Sequence, residues 1–297
     1  MKILFVLLFV SVSANASLYN FYFPSEGKQQ FSISAFGYEE EREFERDSAV
    51  VEELNYEGGG IKIGYGYFIK GKYFLGLEFD YLIKGEYQER FSEDLESLPD
   101  GTINVHGFRE PTLIFRNYFE HSMDQHYFHG LHFTYNPKIF NAHQSNYASG
   151  RHEASLGYWF SYRRPSFEFA GEIYTKVYGR KRVDRRLGGQ EITGNFSEVG
   201  IDLKPGFITK HFAFHLLGGT SNTTDYNTRN KDFARLSDKG FTIYGGLSLT
   251  YGNPQFKIVL ESIAKSYVFN SIEEDLSREV DFEYETKYTT LKLEWLF

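Results

Sequence analysis

Large apolar and polar side chains alternate with a period of two through most of the 297 residues. The last seven, Leu291-Lys292-Leu293-Glu294-Trp295-Leu296-Phe297, show the pattern plainly. In an extended strand Leu291, Leu293, Trp295 and Phe297 share one face while Lys292 and Glu294 share the other. Tyr73, Leu75, Leu77, Phe79, Tyr81 and Ile83 alternate in the same way with Gly76, Glu78, Asp80 and Lys84, and Ile61, Ile63, Tyr65 and Tyr67 with Lys62, Gly64 and Gly66. Val199, Ile201 and Leu203 repeat the rhythm against Glu198, Asp202 and Lys204. An oily strand face needs cover, and a strand edge needs hydrogen-bond partners. In hydrocarbon, many such strands are satisfied together only when their sheet closes on itself.

Punctuation divides the chain into about twelve strands. Short turns are expected at 70–72, 121–125, 163–166, 209–210 and 252–254, and long polar loops at 40–53, 92–101, 141–151, 181–190, 221–239 and 270–278. Five short and six long connections place both ends of the chain on one side, as an all-β transmembrane antiparallel β-barrel requires, with short periplasmic turns and long extracellular loops. The final strand resembles the closing strand of bacterial outer-membrane barrels. That resemblance implies that Phe297 is an assembly signal read by the barrel assembly machinery.

Lys2, the apolar run 3–10 and the small residues ending in Ala14-Asn15-Ala16 read as a signal peptide over residues 1–16. Residues 17–297 would then form a single barrel domain exported to the bacterial outer membrane. No stretch carries the ~18 apolar residues of a spanning helix. With 23 Tyr and 30 Phe, the chain holds the stock from which interfacial aromatic girdles are made. The absence of Cys excludes disulfides and thiolate catalysis, and a net charge of -8 argues against a nucleic-acid partner. The inward faces carry both signs of charge, including Glu78, Asp80, Arg116, Glu168, Glu172, Lys176, Lys257, Glu261, Lys292 and Glu294. Such a set suits a cross-linked interior better than a selective pore.

One segment carries chemistry. Counting the alternation of the fifth strand from Tyr127, Leu131, Phe133, Tyr135 and Ile139 puts His143 and Ser145 on the lipid side, near the outer-leaflet boundary. At this spacing the imidazole of His143 can take the Ser145 proton for attack on an ester, and a nucleophile facing membrane meets lipid acyl esters. At His143, Ser145 and Asn146 the chain resembles the outer-membrane phospholipase A family of twelve-stranded barrels. The family carries His-x-Ser-Asn-Gly-Arg there, whereas this chain continues Tyr147-Ala148. Its third catalytic residue, an Asn on strand six, falls near Gly157. The resemblance implies hydrolysis of phospholipid, use of Ca2+ and a homodimer. The same residues resemble eight-stranded lipid A deacylases, in which a following Glu orients the His; Glu153 would fill that part if strand six carried a bulge.

Other features are expected to do less. His126, His129 and His132 lie at mixed parity, which argues against a shared metal and leaves His129 as an interfacial residue. The stretch Arg180-Lys181-Arg182-Val183-Asp184-Arg185-Arg186 could grip lipopolysaccharide phosphates, and residues 39–47 could hold divalent cations. Gly58-Gly59-Gly60 precedes a strand and lacks the context of a phosphate loop. The sequence therefore points to an outer-membrane lipid acyl hydrolase with Ser145 as nucleophile, His143 as base and Glu153 as orienter. The alternatives are a non-catalytic barrel, either a narrow channel or a surface-structural protein, and a lipid A deacylase.

Overall fold

A computed structural model describes residues 27–297 apart from 47–48, 71, 92–100, 120–125, 144, 185–189, 230–233, 238, 254 and 274–277. The expected signal peptide over 1–16 lies outside the described residues, as does the turn at 121–125. Twelve antiparallel staves form one closed sheet. The first three are β1 (Gln29–Arg46), β2 (Ala49–Ile69) and β3 (Tyr73–Phe91). The fourth is broken into β4 (Gly101–Phe108) and β5 (Thr112–Phe119) around Pro111. The fifth is β6 (Tyr127–Asn136), and a short β7 (Ala142–His143) lies in the loop before the sixth, β8 (Glu153–Arg164).

On the far side, the seventh stave joins β9 (Phe167–Tyr178) to β10 (Lys181–Asp184), and the eighth β11 (Gln190–Thr193) to β12 (Phe196–Ile208). The ninth joins β13 (Phe212–Thr223) to β14 (Tyr226–Arg229), and the tenth β15 (Ala234–Ser237) to β16 (Phe241–Gly252). The last two are β17 (Phe256–Glu273) and β18 (Arg278–Leu296). β18 closes the barrel on β1 over a long ladder, with Leu293 opposite Ile33 and Lys292 opposite Ser34. Phe297 exchanges backbone hydrogen bonds with Gln29, and its ring is exposed.

Side-chain parity follows the alternation. Leu75, Phe79, Ile173, Val199, Leu247 and Leu291 point outward to form the lipid-facing surface. Inward positions carry packed clusters and ion pairs. Near the short turns, Phe68, Phe74, Ile114 and Leu296 pack together with Tyr118. Beside them Arg163 and Glu168 form a buried ion pair, with Nε to Oε1 at 2.7 Å. Ser161 Oγ donates to the same carboxylate at 2.6 Å, and His215 Nε2 lies 3.0 Å from its other oxygen. Lys292 and Lys257 flank Glu294 at 2.7 and 3.8 Å. Charges of opposite sign thus bridge neighbouring staves, and the buried carboxylates of Glu168 and Glu294 each meet a cation, as a low-dielectric interior demands.

Three expectations change. The described residues of 40–53 and 270–278 are instead continuations of β1, β2, β17 and β18, and short strands β10, β11, β14 and β15 lie partly within 181–190 and 221–239. Above the bilayer both faces of a strand are wet, so the ladder runs on after the oily alternation stops. Residues 39–46 accordingly lie in β1 rather than in a cation-binding loop. Lys84 does not face the lumen. The β2–β3 register steps from Gly60–Leu82 to Gly59–Lys84, leaving Ile83 as a bulge. Parity flips there, so Tyr87 joins an inward aromatic cluster while Lys84 pairs with Glu86 on the surface at 2.9 Å. A Cβ on Gly60 would lie 2.2 Å from the Tyr81 carbonyl oxygen, so the strands can approach here only at glycine.

Removing one partner of the buried pair leaves a stranded charge. Arg163→Ala is expected to lower stability by about 3–5 kcal/mol, read as an earlier midpoint in urea unfolding followed by tryptophan fluorescence in lipid vesicles. An unchanged midpoint would show that water hydrates Glu168.

Candidate functional site

Pro137 ends the fifth stave, because it brings no N–H to the ladder and restrains Asn136 before it. The last β6–β8 pair is Asn136–Glu153, yet β4 on one side and β10 on the other rise higher. Two strand edges are therefore left open. The connection 137–152 fills both. Ala142 and His143 pair in parallel with Val183 and Asp184 of β10, while Asn146 bridges His106 of β4, whose N–H donates to the Ser145 carbonyl at 3.4 Å. The strand expected to run straight through His143 is thus replaced by a patch in the wall.

Inward contacts hold the patch. Tyr147 enters the lumen and packs on Phe36 and Tyr38, with ring centroids at 6.2 and 6.1 Å, and Arg109 lies over it at 5.9 Å. Glu110 is buried and accepts hydrogen bonds from the N–H groups of Ser149 and Gly150, at 2.7 and 2.9 Å. Gly150 has φ +67, and a Cβ there would lie 2.4 Å from that of Ala142. Both the backbone conformation and the contact require glycine.

The patch turns at residues 143–146, where the Asn146 N–H donates to the His143 carbonyl at 3.1 Å. Asn146 Oδ1 accepts from the His143 N–H at 3.0 Å, and its Nδ2 donates to the Asn141 carbonyl at 2.9 Å. His143 Nδ1 sits 2.7 Å from Ser145 Oγ and 3.1 Å from the Ser145 nitrogen. A donor N–H aimed at Nδ1 makes that nitrogen the acceptor, so the serine hydroxyl donates to it and the ring proton resides on Nε2. Ala142 is buried and His143 exposed, with the exposed Ile139 and Phe140 a few residues before them. The contact expected from strand spacing therefore comes from a turn.

Glu153 is not part of this group. The β6–β8 register is regular from Glu153 to Tyr162, without the bulge needed to bring the side chain outward. It faces the lumen, 3.1 Å from Arg151 Nε and 3.6 Å from Arg109. Gly157 is also turned inward, toward Glu172. Among the described residues, no carboxylate bonds to His143, and no cluster of three His, Asp or Glu side chains could hold a metal ion. His129 packs among Tyr127, Phe119 and Tyr158, accepting or donating at 3.0 Å to the Tyr158 hydroxyl, as an interfacial residue would. Sequence reasoning missed Arg109, Glu110 and Tyr147; the Arg-Glu-Pro string at a strand break was the available signal.

Above the bilayer, burial and the nearby guanidinium groups of Arg151 and Arg42 push Lys181 down to about 8 from the ordinary 10.5. Between these values the unfolded chain keeps a proton that the folded protein has released, so stability rises with pH. Lys181→Met is expected to flatten that rise in urea unfolding between pH 7.5 and 10. Glu110→Ala strands two N–H groups, at about 1–3 kcal/mol each, and is expected to speed tryptic cleavage after Lys138 or Arg151. Equal cleavage rates would refute this anchoring.

No protein family and no curated protein sequence matches the chain. Solved structures do. An outer-membrane channel from Pseudomonas putida F1 aligns with TM-score 0.53 and 10% identity, covering 97% of this chain and 100% of its own. The transport unit of the autotransporter AIDA-I from Escherichia coli aligns with TM-score 0.51 and 10% identity, covering 97% and 93%. At this identity the likeness establishes the fold, that of an integral outer-membrane β-barrel.

Proposed function

We propose that the barrel is a lipid acyl-ester hydrolase whose working pair is Ser145 and His143 at the outer rim of the wall. The observation that carries this reading is the 2.7 Å contact between Ser145 Oγ and His143 Nδ1, on an exposed turn. Ser145 attacks the ester carbonyl as His143 Nδ1 accepts its proton; the same proton then passes to the departing alcohol. Water deacylates the serine by the reverse transfer. The exposed Ile139 and Phe140 offer an apolar surface on which an acyl chain could lie. Phospholipid is the preferred substrate, and lipid A the second. With Glu153 engaged by Arg109 and Arg151, the pair works without a carboxylate orienter. No step is routed through calcium.

A specific observation favours a second reading, a non-catalytic closed barrel: the bonds of His143, Ser145 and Asn146 also satisfy an ordinary turn. Because a solved structure of this fold is a channel, conductance is the natural companion measurement.

Fatty-acid release from phospholipid in detergent separates the two. Release is expected to persist in EDTA and to fall at least about a hundredfold in Ser145→Ala or His143→Ala. Equal release by the intact protein and Ser145→Ala would sink the hydrolase reading. Single-channel conductance without release would establish the rival.

A further inference from the structure

Arg182 lies beside the serine–histidine pair. In β10 it precedes Val183 and Asp184, which pair with Ala142 and His143, so it stands one strand away and two residues before the register partner of His143. Adjacent strands lie about 4.8 Å apart, well within the reach of an arginine side chain. Arg182 is exposed, whereas Lys181 and Val183 on either side are half-buried, so it shares the outward side with His143. Its register partner on β11 is Ile192.

Arginines facing the lumen are committed elsewhere: Arg42 to Glu40, Arg109 and Arg151 to Glu153, and Arg163 to Glu168. Arg180 and Arg182 differ. Among the described residues neither has an ion-pair partner, and both are exposed. An unpaired guanidinium at the outer rim, with exposed Ile139 and Phe140 nearby, meets the two ends of one kind of molecule. The chain of a lipid suits the apolar pair, and a phosphate suits the planar fork of the guanidinium. The ester of a glycerophospholipid lies between its chains and its phosphate.

We propose that Arg182 binds the phosphate of an acyl lipid and thereby positions the lipid's ester at Ser145. The positioning role rests on the hydrolase reading above; the phosphate contact does not.

Binding is measured by calorimetry on Ser145→Ala in a non-ionic detergent, which removes turnover. The probes are dihexanoyl phosphatidylglycerol, neutral dihexanoylglycerol and inorganic phosphate. Arg182→Ala is expected to weaken phosphatidylglycerol binding about tenfold, the loss of one charge-assisted contact, and to change dihexanoylglycerol binding less than about twofold. Arg182→Lys should fall between, and inorganic phosphate should bind more weakly than the lipid. Unchanged phosphatidylglycerol affinity in a folded Arg182→Ala barrel, verified by its heat-modified gel shift, overturns the proposal. Phosphate binding as tightly as the lipid also overturns it, since the site would then be one for a free anion. Binding that depends on Arg182 without fatty-acid release by the intact protein supports the phosphate contact and defeats only the hydrolase reading.

Discussion

Every peptide N–H and C=O within hydrocarbon must find a partner in the protein, and this requirement shapes the molecule from end to end. It forces β18 onto β1 and closes the sheet. It also explains the least regular part of the structure. Pro137 stops the fifth stave while β4 and β10 continue, and the open edges draw in the loop between them. The turn at residues 143–146 exists because one short segment must serve two edges and can do so only by bending. The contact between His143 and Ser145 is a by-product of closing the wall.

Closure leaves an interior, and two side-chain clusters and several ion pairs occupy it. Phe68, Phe74 and Leu296 pack at one end with Arg163, Glu168 and His215 close by, and Tyr147, Phe36, Tyr38 and Leu82 pack toward the other. A buried charge is costly alone and tolerable when each partner is held by several bonds. Glu168 receives hydrogen bonds from Ser161 and Arg163 and meets His215. The exposed rim at His143 lies apart from this crowding, so a molecule that met it from outside would displace none of it.

How much of this could be read from the chain depends on solvent. Within the bilayer one face of each strand meets lipid and the other the lumen, so alternation announces itself, and the number of staves and the positions of the described short turns follow. Above the bilayer both faces are wet. Residues 40–46 then resemble a polar loop although they are strand. The bulge at Ile83 was hidden for a related reason: a single inserted residue inverts parity beyond it without altering composition. Tyr147 was unreadable because its partners, Phe36 and Tyr38, lie more than a hundred residues away. The nearness of His143 and Ser145 was legible, but its cause was not. Two residues apart on a strand gives proximity, and so does a turn; only Pro137 hints at the second. Parity also placed Glu153 inward, and the regular β6–β8 ladder keeps it there.

The turn imposes a condition on any chemistry at Ser145. Its N–H and its hydroxyl both address His143 Nδ1, so a single lone pair serves two donors. That arrangement fixes the tautomer and holds the imidazole against the nucleophile without a carboxylate. Once Nδ1 takes the serine proton, however, the backbone N–H loses its acceptor and faces a like proton. The imidazolium must then rotate away, or the turn must loosen, before the proton reaches a leaving alcohol. Rotation is open to a ring exposed to solvent and closed to one packed in a core. The exposure of His143 is what a base held by its own neighbour would require.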